Sequence, residues 1–270
     1  MLAEKMVSLL SQIAPFFLIV GNHDRPNNSD FLTDRHAFNA MKKWDNVHII
    51  DKTFEYIFNG YKFVLVPYVP PGRFDEALNT IENPLLNTTA IFAHQEIYGA
   101  KMGAIISQDG DKWDLSRQLL VSGHIHIFQQ LQPNMIYTGS PIQHTYNEGD
   151  KTISIFKFIN DKWEHERVDL GMMKKVTIYI TPEQVLEYKV PKDKLVKLVV
   201  RGEEAAIKTI AKLDKIQELR KNNVKVVFKT IQNVEVSKET LPKMSYKDRL
   251  YKELGRDLNT ISWFKKIFEN

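Results

Sequence analysis

Three short apolar runs in this chain each end in a segment that carries histidine. Phe16–Val20 leads into Gly21-Asn22-His23-Asp24, Thr89–Ala93 into His94-Gln95, and Leu119–Ser122 into Gly123-His124-Ile125-His126. Side chains two apart on an extended segment share a side, so His124 and His126 present two imidazoles together. With Asn22 and His94 they offer nitrogen and oxygen donors of the kind that Mn²⁺, Fe²⁺ or Zn²⁺ accept. In Gly21-Asn22-His23-Asp24 the glycine permits a tight turn and the asparagine offers a neutral oxygen ligand. The His23–Asp24 pair suits an acid held in orientation by a carboxylate. A lone histidine after a strand is more often a hydrogen-bonded structural residue. The three segments in this order carry the reading together.

The elements that must position these residues follow from the hydrophobic pattern. Phe16–Val20, Lys62–Pro67, Thr89–Ala93 and Leu119–Ser122 are continuous apolar runs, the pattern of strands covered on both faces. Asp34–Lys43 and Arg73–Ile81 are compatible with helices between them. An α/β layered fold follows, and in such sheets ligands gather beyond the carboxyl ends of the strands. The character changes near Asp169–Met173. Strands are predicted at Lys175–Ile180, Leu195–Val200 and Val224–Thr230, with Ile207, Ile210, Leu213, Ile216 and Leu219 forming one apolar helix stripe between the last two. The chain thus divides into a body over 1–170, a small β-α-β domain over 171–240 and a helical tail over 241–270. Ser245 with Asp248 three residues on makes a helix start in the tail. Leu250, Leu254, Leu258, Ile261, Phe264 and Phe268 then form a stripe. It either packs on its own domain or docks in a partner's groove.

Composition narrows the classes. Of 270 residues 43% are hydrophobic and 26% charged, ordinary for a globular protein. No apolar run approaches bilayer length, and Glu4, Lys5 and Gln12 interrupt the opening apolar stretch, which argues against a signal peptide. The absence of cysteine excludes disulfides, a thiolate zinc site and a cysteine nucleophile, and fits a reducing, cytoplasmic compartment. Charge is uneven: residues 1–170 carry 15 Lys+Arg against 20 Asp+Glu, and residues 171–270 carry 22 against 13. An acidic body suits metal chemistry and a basic C-terminal part suits a polyanion such as DNA, although a solvated lysine-rich surface explains the charge equally well.

Gly21-Asn22-His23-Asp24, His94 and Gly123-His124-Ile125-His126 resemble the motifs of the calcineurin-like metallophosphoesterases. Tyr137-Thr138-Gly139-Ser140-Pro141, with Lys151 opening a strand, is similar to the SbcD-like branch, the nuclease subunit of a double-strand-break repair complex. The resemblance covers about residues 8–160. It implies a layered metallophosphoesterase sandwich with a small capping domain and a helical tail, acting as a manganese-dependent DNA exonuclease and endonuclease. Asn22, His94 and His124 would bind one metal and His126 the other. His23 would contact the phosphate and protonate the leaving oxygen, with Asp24 orienting it. Two metals about 3.5–4 Å apart would activate a water and offset the transition-state charge. The partners implied are DNA, an SbcC-like ATPase and a second copy of the chain.

The resemblance also implies an Asp-x-His motif and a Gly-Asp-x-x-Asp motif on two strands before Gly21, supplying most first-metal ligands and the bridging carboxylate. Neither occurs among the 20 residues that precede Gly21. The expectation is that two β-α units, on the order of 60 residues, are absent through a late start, a split gene whose product completes the fold in trans, or decay. No anionic ligand is then identified, and the chain alone is expected to be inactive or nearly so. A related phosphoesterase acting on a small phosphodiester, and a catalytically silent DNA- or ATPase-binding subunit, are the rival readings. Arg25, Asn27, His144, Lys174 and Lys175 are candidates to touch phosphates or DNA. His36, His48 and His165 read as surface or structural residues, and Gln95 as either a neighbour of the metal or a loop brace.

Overall fold

Valine, isoleucine and phenylalanine crowd the segments predicted as strands, and in the computed structural model, which describes residues 2–231 apart from 147 and 161, these become strands. The result is a mixed α/β protein with several sheets and few helices. Helix α1 (Leu2–Ser11) leads into β1 (Phe16–Ile19), which pairs in parallel with β2 (Val47–Ile50). Val7 on α1 joins Met41 and Val47 in a small core, with Phe16 and Leu18 packed against it.

The largest sheet has six strands in the order β3-β4-β5-β8-β10-β9. These are β3 (Phe54–Phe58), β4 (Tyr61–Val66), β5 (Thr88–Ala93), β8 (Leu119–Ser122), β9 (Gln129–Gln132) and β10 (Met135–Tyr137). β4, β5, β8 and β10 run parallel, so their carboxyl ends emerge along one edge. A two-stranded hairpin of β6 (Lys101–Met102) and β7 (Ile105–Ile106) lies between β5 and β8 in sequence. One core contains Val64, Val66, Ile91, Leu120 and Tyr137 with Phe74 from helix α2 (Phe74–Leu78). A second contains Ala90, Leu119, Val121 and Ile136, against which Phe156, Phe158 and Trp163 of the antiparallel hairpin β11 (Ile153–Ile159) and β12 (Lys162–Val168) pack. Both faces of the central strands are therefore covered, which is why they read as continuous apolar runs rather than alternations. Each fully buried aliphatic side chain in these cores contributes about 1.5–3 kcal/mol.

Residues 174–230 form a parallel three-stranded sheet, β13 (Lys174–Ile180), β14 (Lys194–Gly202) and β15 (Lys225–Thr230), with helices α3 (Glu204–Ile210) and α4 (Asp214–Lys221) between the last two strands. The single helix expected over Ile207–Leu219 is two. A three-residue repeat turns a helix by about 300° per step, so five such positions spread over about 240° and cannot all face one sheet. The break at Leu213, whose backbone is extended (φ −70, ψ 143), resets the phase. Ile207, Ile216 and Leu219 all become buried as a consequence.

The helix expected over Asp34–Lys43 is reduced to a short 3₁₀ turn at Asn39–Lys43. Side chains capture the amides a helix needs: Thr33 Oγ accepts the Arg35 N–H (3.2 Å) and His36 Nδ1 accepts the Phe38 N–H (3.1 Å). Likewise Arg73–Ile81 keeps only Phe74–Leu78 as helix. No described helix is long and apolar enough to cross a membrane. The tail stripe Leu250, Leu254, Leu258, Ile261, Phe264 and Phe268 lies outside the described residues.

Candidate active site

The three histidine-bearing segments leave their strands along one edge and are tied to each other by backbone bonds. Val20 donates to Ile50 O (3.0 Å) and its own carbonyl accepts from Tyr68 N–H (2.9 Å), so the end of β1 meets the end of β4. His94 N–H reaches Val66 O (3.3 Å) and Gly123 N–H reaches Ala93 O (3.1 Å), which extends the β4-β5-β8 ladder into the loops. The buried Ser122 hydroxyl donates to Gln95 O (2.8 Å) and accepts from the Gln95 N–H (2.9 Å), joining the His94 and His124 loops. Gln95 itself braces a loop, bonding Val69 N–H and O (3.3 and 3.1 Å) and Asp111 Oδ2 (2.8 Å) rather than the site.

Gly21 is required by space rather than by backbone angle. Its φ of −90 and ψ of 177 are extended, open to any residue, but an added Cβ would lie 2.9 Å from both Cε1 and Nε2 of His94. The 3₁₀ turn Asn22–Asp24 that follows brings Asn22 Oδ1 to 3.1 Å from His94 Nε2. That is a hydrogen-bond distance. It is also roughly the separation of two donors sharing one cation at about 2.1 Å across a right angle. The His94 and His124 rings meet edge to face, centroids 5.1 Å apart. Tyr68 stacks on His124 at 5.7 Å and fixes its plane. His124 Nδ1 is buried without a hydrogen-bond partner.

Burial pushes His94 down from 6.5 to about 3, helped by His124, His126 and His23 nearby, so its imidazole stays neutral and keeps a lone pair. His124 is lowered by burial too, against the opposing pull of the Glu96 carboxylate. Glu96 has no spacing signature that marks it in sequence beyond lying two residues after His94. Its Oε2 is 3.9 Å from His124 Nε2 and its Oε1 accepts from Ser107 Oγ at 2.6 Å.

His126 lines the same cleft as His124 but takes its own neighbours. Its ring stacks on His144 (4.6 Å). Its carbonyl accepts from Ser140 N–H (3.3 Å), Ser140 Oγ (3.4 Å) and Lys151 Nζ. Gly139, at φ +73, lets the strand end pass this loop, since a Cβ there would come within 2.9 Å of Phe128 N. Tyr137–Ser140 thus braces the His126 loop. Glu148 accepts from the His144 and Thr145 amides (3.1 Å each) and pairs with Lys151 (2.8 Å). Burial raises its pKa, but Lys151 and the two amides outweigh that and bring it to about 2. His23, Asn22, His124, His126 and Glu148 line an open cleft of about 320 Å³.

Other expected contacts take different partners. Asp24 Oδ2 accepts the Gly21 N–H at 2.7 Å, locking the turn that presents His23, where the resemblance implies a contact with the His23 ring. Arg25 is not a surface phosphate contact. It is 7% exposed, lies over the Tyr68 ring, and spends its guanidinium on the carbonyls of Tyr68, Asn28 and Asp30. Lys174, exposed, pairs with Asp150 (2.8 Å) and Asp169 (3.6 Å), and the half-buried Lys175 donates to His144 O (3.0 Å). The exposed His144 ring stacks on His126. Asn27 bonds Asp30 Oδ1 and the Ser29 N–H within its own loop. His36 bonds Asp51 Oδ2 (3.1 Å), His48 stacks on Phe17 and His165 on Phe156, all structural placements.

The donors present fit one cation and not a bridged pair. Among the described residues no three of His, Asp and Glu gather closely enough to hold a metal. Asn22 Oδ1 and His94 Nε2 do meet, and the His124 ring, with Nδ1 buried and unpaired, packs edge to face on His94. A bridge needs a carboxylate shared by two ions. Glu96 is engaged by Ser107 and Glu148 by Lys151.

No family model matches the chain. Two viral proteins are similar to it. "Putative phosphoesterase 244L" of Invertebrate iridescent virus 6 is 40% identical over 218 residues, 78% of this chain and 77% of that protein. "Putative phosphoesterase 078R" of Invertebrate iridescent virus 3 is 43% identical over 229 residues, 82% of this chain and 66% of that protein.

Proposed function

The chain belongs to the phosphoesterase family of these viral proteins, and from that premise we propose that it is a metal-dependent phosphodiester hydrolase acting on DNA, as the SbcD-like nucleases it resembles do. The observation that carries the reading is the approach of Asn22, His94 and His124 at the ends of β1, β5 and β8, with one buried imidazole nitrogen left unpaired. Those three residues would hold one Mn²⁺, and His126, lining the same cleft, a second. A bound cation would supply charge neutralisation on the phosphoryl oxygens and a water of lowered pKa.

The chain's own residues do the rest. His94 remains neutral and available as a donor across the physiological pH range, because burial disfavours its cation. Asp24 holds the turn, and the turn presents His23 to the cleft, where it protonates the departing oxygen. Three features support DNA as the substrate: the net +9 of residues 171–270 (22 Lys+Arg less 13 Asp+Glu), the segment Tyr137–Pro141, and the resemblance itself. On this reading an SbcC-like ATPase docks on residues 241–270, and a second copy of the chain pairs with the body. The Asp-x-His and Gly-Asp-x-x-Asp motifs that the resemblance implies would supply the bridging carboxylate and the remaining ligands of the metal beside His126. A small phosphodiester is the second reading, favoured by the burial of Arg25 against the carbonyls of Tyr68, Asn28 and Asp30.

Manganese-dependent turnover of linear duplex DNA and of bis(4-nitrophenyl) phosphate separates the two. DNA cleavage is expected to be weak for residues 1–270 alone and to rise when the two carboxylate motifs are supplied. The His23→Ala substitution then removes it while Mn²⁺ binding persists. Turnover of the small ester alone selects the second reading, and turnover of neither contradicts both.

A further inference from the structure

We propose that Glu96 is a positioning residue for this site: its carboxylate takes the Nε2 hydrogen of His124 and so leaves Nδ1 as the lone pair turned to a cation. The inference rests on the reading of Asn22, His94 and His124 as a cation site. A neutral imidazole carries its proton on one nitrogen or the other, and the partner of one nitrogen decides the state of the other. His124 has Nδ1 buried without a partner and a carboxylate oxygen 3.9 Å from Nε2. That gap exceeds a hydrogen bond. Nδ1 has no hydrogen-bond partner, and a small rotation of either side chain that closes the gap gives Nε2 its acceptor.

Glu96 is itself held from several directions. Ser107 Oγ donates to Oε1 at 2.6 Å, which leaves Oε2 for the histidine. The Glu96 carbonyl accepts the Asp111 N–H (3.0 Å), and the next residue, Ile97, donates its N–H to the Tyr137 hydroxyl (2.7 Å). Tyr68, stacked on the His124 ring, fixes its plane but cannot choose between its nitrogens. The carboxylate can, and it also places one negative charge behind a donor set that is otherwise neutral. Carboxylate partners of this kind orient metal-binding histidines and raise their basicity, and their loss lowers metal affinity by about 10–100-fold.

The test is long-range ¹H–¹⁵N NMR of the histidine rings in the metal-free protein, with calorimetric Zn²⁺ titration of the same samples. In the unsubstituted protein His124 is expected as the Nε2–H tautomer alone. Glu96→Leu should give a mixture of tautomers and an affinity lower by about 10–100-fold. Glu96→Gln, which keeps a carbonyl acceptor but no charge, should hold the tautomer and lose less. An unchanged tautomer and unchanged affinity in Glu96→Leu overturn the proposal. Should that variant not fold, Glu96→Ala, which removes the carboxylate with a smaller side chain, decides by the same two readouts: a shift in both supports the proposal and no change in either overturns it. Absence of Zn²⁺ uptake by the unsubstituted protein contradicts the cation site, while the tautomer comparison still decides the role of Glu96.

Discussion

His94 Nε2 lies 3.1 Å from Asn22 Oδ1, across 72 residues of sequence, and the Cα of Gly21 has no room for a Cβ beside the same imidazole. One residue type at position 21 therefore decides whether two donors meet. Gly21→Ala would drive a methyl group into the His94 ring. The chain should lose about 1–3 kcal/mol of stability, as overpacked sites do, and Mn²⁺ binding should weaken. Urea denaturation with calorimetry checks both, and an alanine variant matching the parent in each would show that the ring moves aside freely.

The depressed pKa of His94 sets a pH window for stability. The folded state keeps this imidazole neutral down to about pH 3, whereas the unfolded chain takes up a proton near 6.5. Between those values the unfolded state binds more protons, so stability falls as pH drops through the window, with a slope of about one proton from this residue. Above 6.5 the contribution is fully present. Replacing His94 with Gln removes the titrating group and should flatten the stability profile between pH 6.5 and 3. A profile of identical slope would mean that His94 is protonated in the folded protein.

Arg25 behaves as an internal brace. Methionine at that position leaves the carbonyls of Tyr68, Asn28 and Asp30 without their donor and should cost about 1–3 kcal/mol. The salt dependence of DNA binding should not change. A variant that is as stable as the parent but shows a shallower salt slope would return Arg25 to the phosphate contacts.

The strands were legible because they are covered on both faces: Leu119–Ser122 is β8 to the residue, and Thr89–Ala93 misses β5 only by its first residue. Local chemistry hid other features. Thr33 and His36 capture backbone amides over Asp34–Lys43, so a stretch with helical composition forms a turn. The repeat from Ile207 to Leu219 looked like one stripe because spacing of three is close to, but shorter than, the helical period. Arg25 is a candidate phosphate contact by its place beside the motif, and only the tertiary fold brings three carbonyls around it. Glu96 was missed for the complementary reason: the residue that holds it, Ser107, lies 11 positions on, at no spacing that marks a site.

Residues 241–270 give a test independent of the site. If their apolar stripe serves an ATPase partner, deleting them should abolish copurification and leave the melting temperature of the body unchanged. A large fall in melting temperature with partner binding intact would place the stripe against the chain's own body.

Calorimetric titration of Mn²⁺ into the unsubstituted chain and its Asn22→Ala, His94→Ala, His124→Ala and His23→Ala variants tests the site most directly. One binding event is expected in the parent, each ligand variant should bind more weakly by about tenfold or more, and His23→Ala should bind as the parent does, since His23 faces the cleft as an acid. Equal binding by the parent and all three ligand variants, or loss of binding in His23→Ala alone, would contradict the assignment.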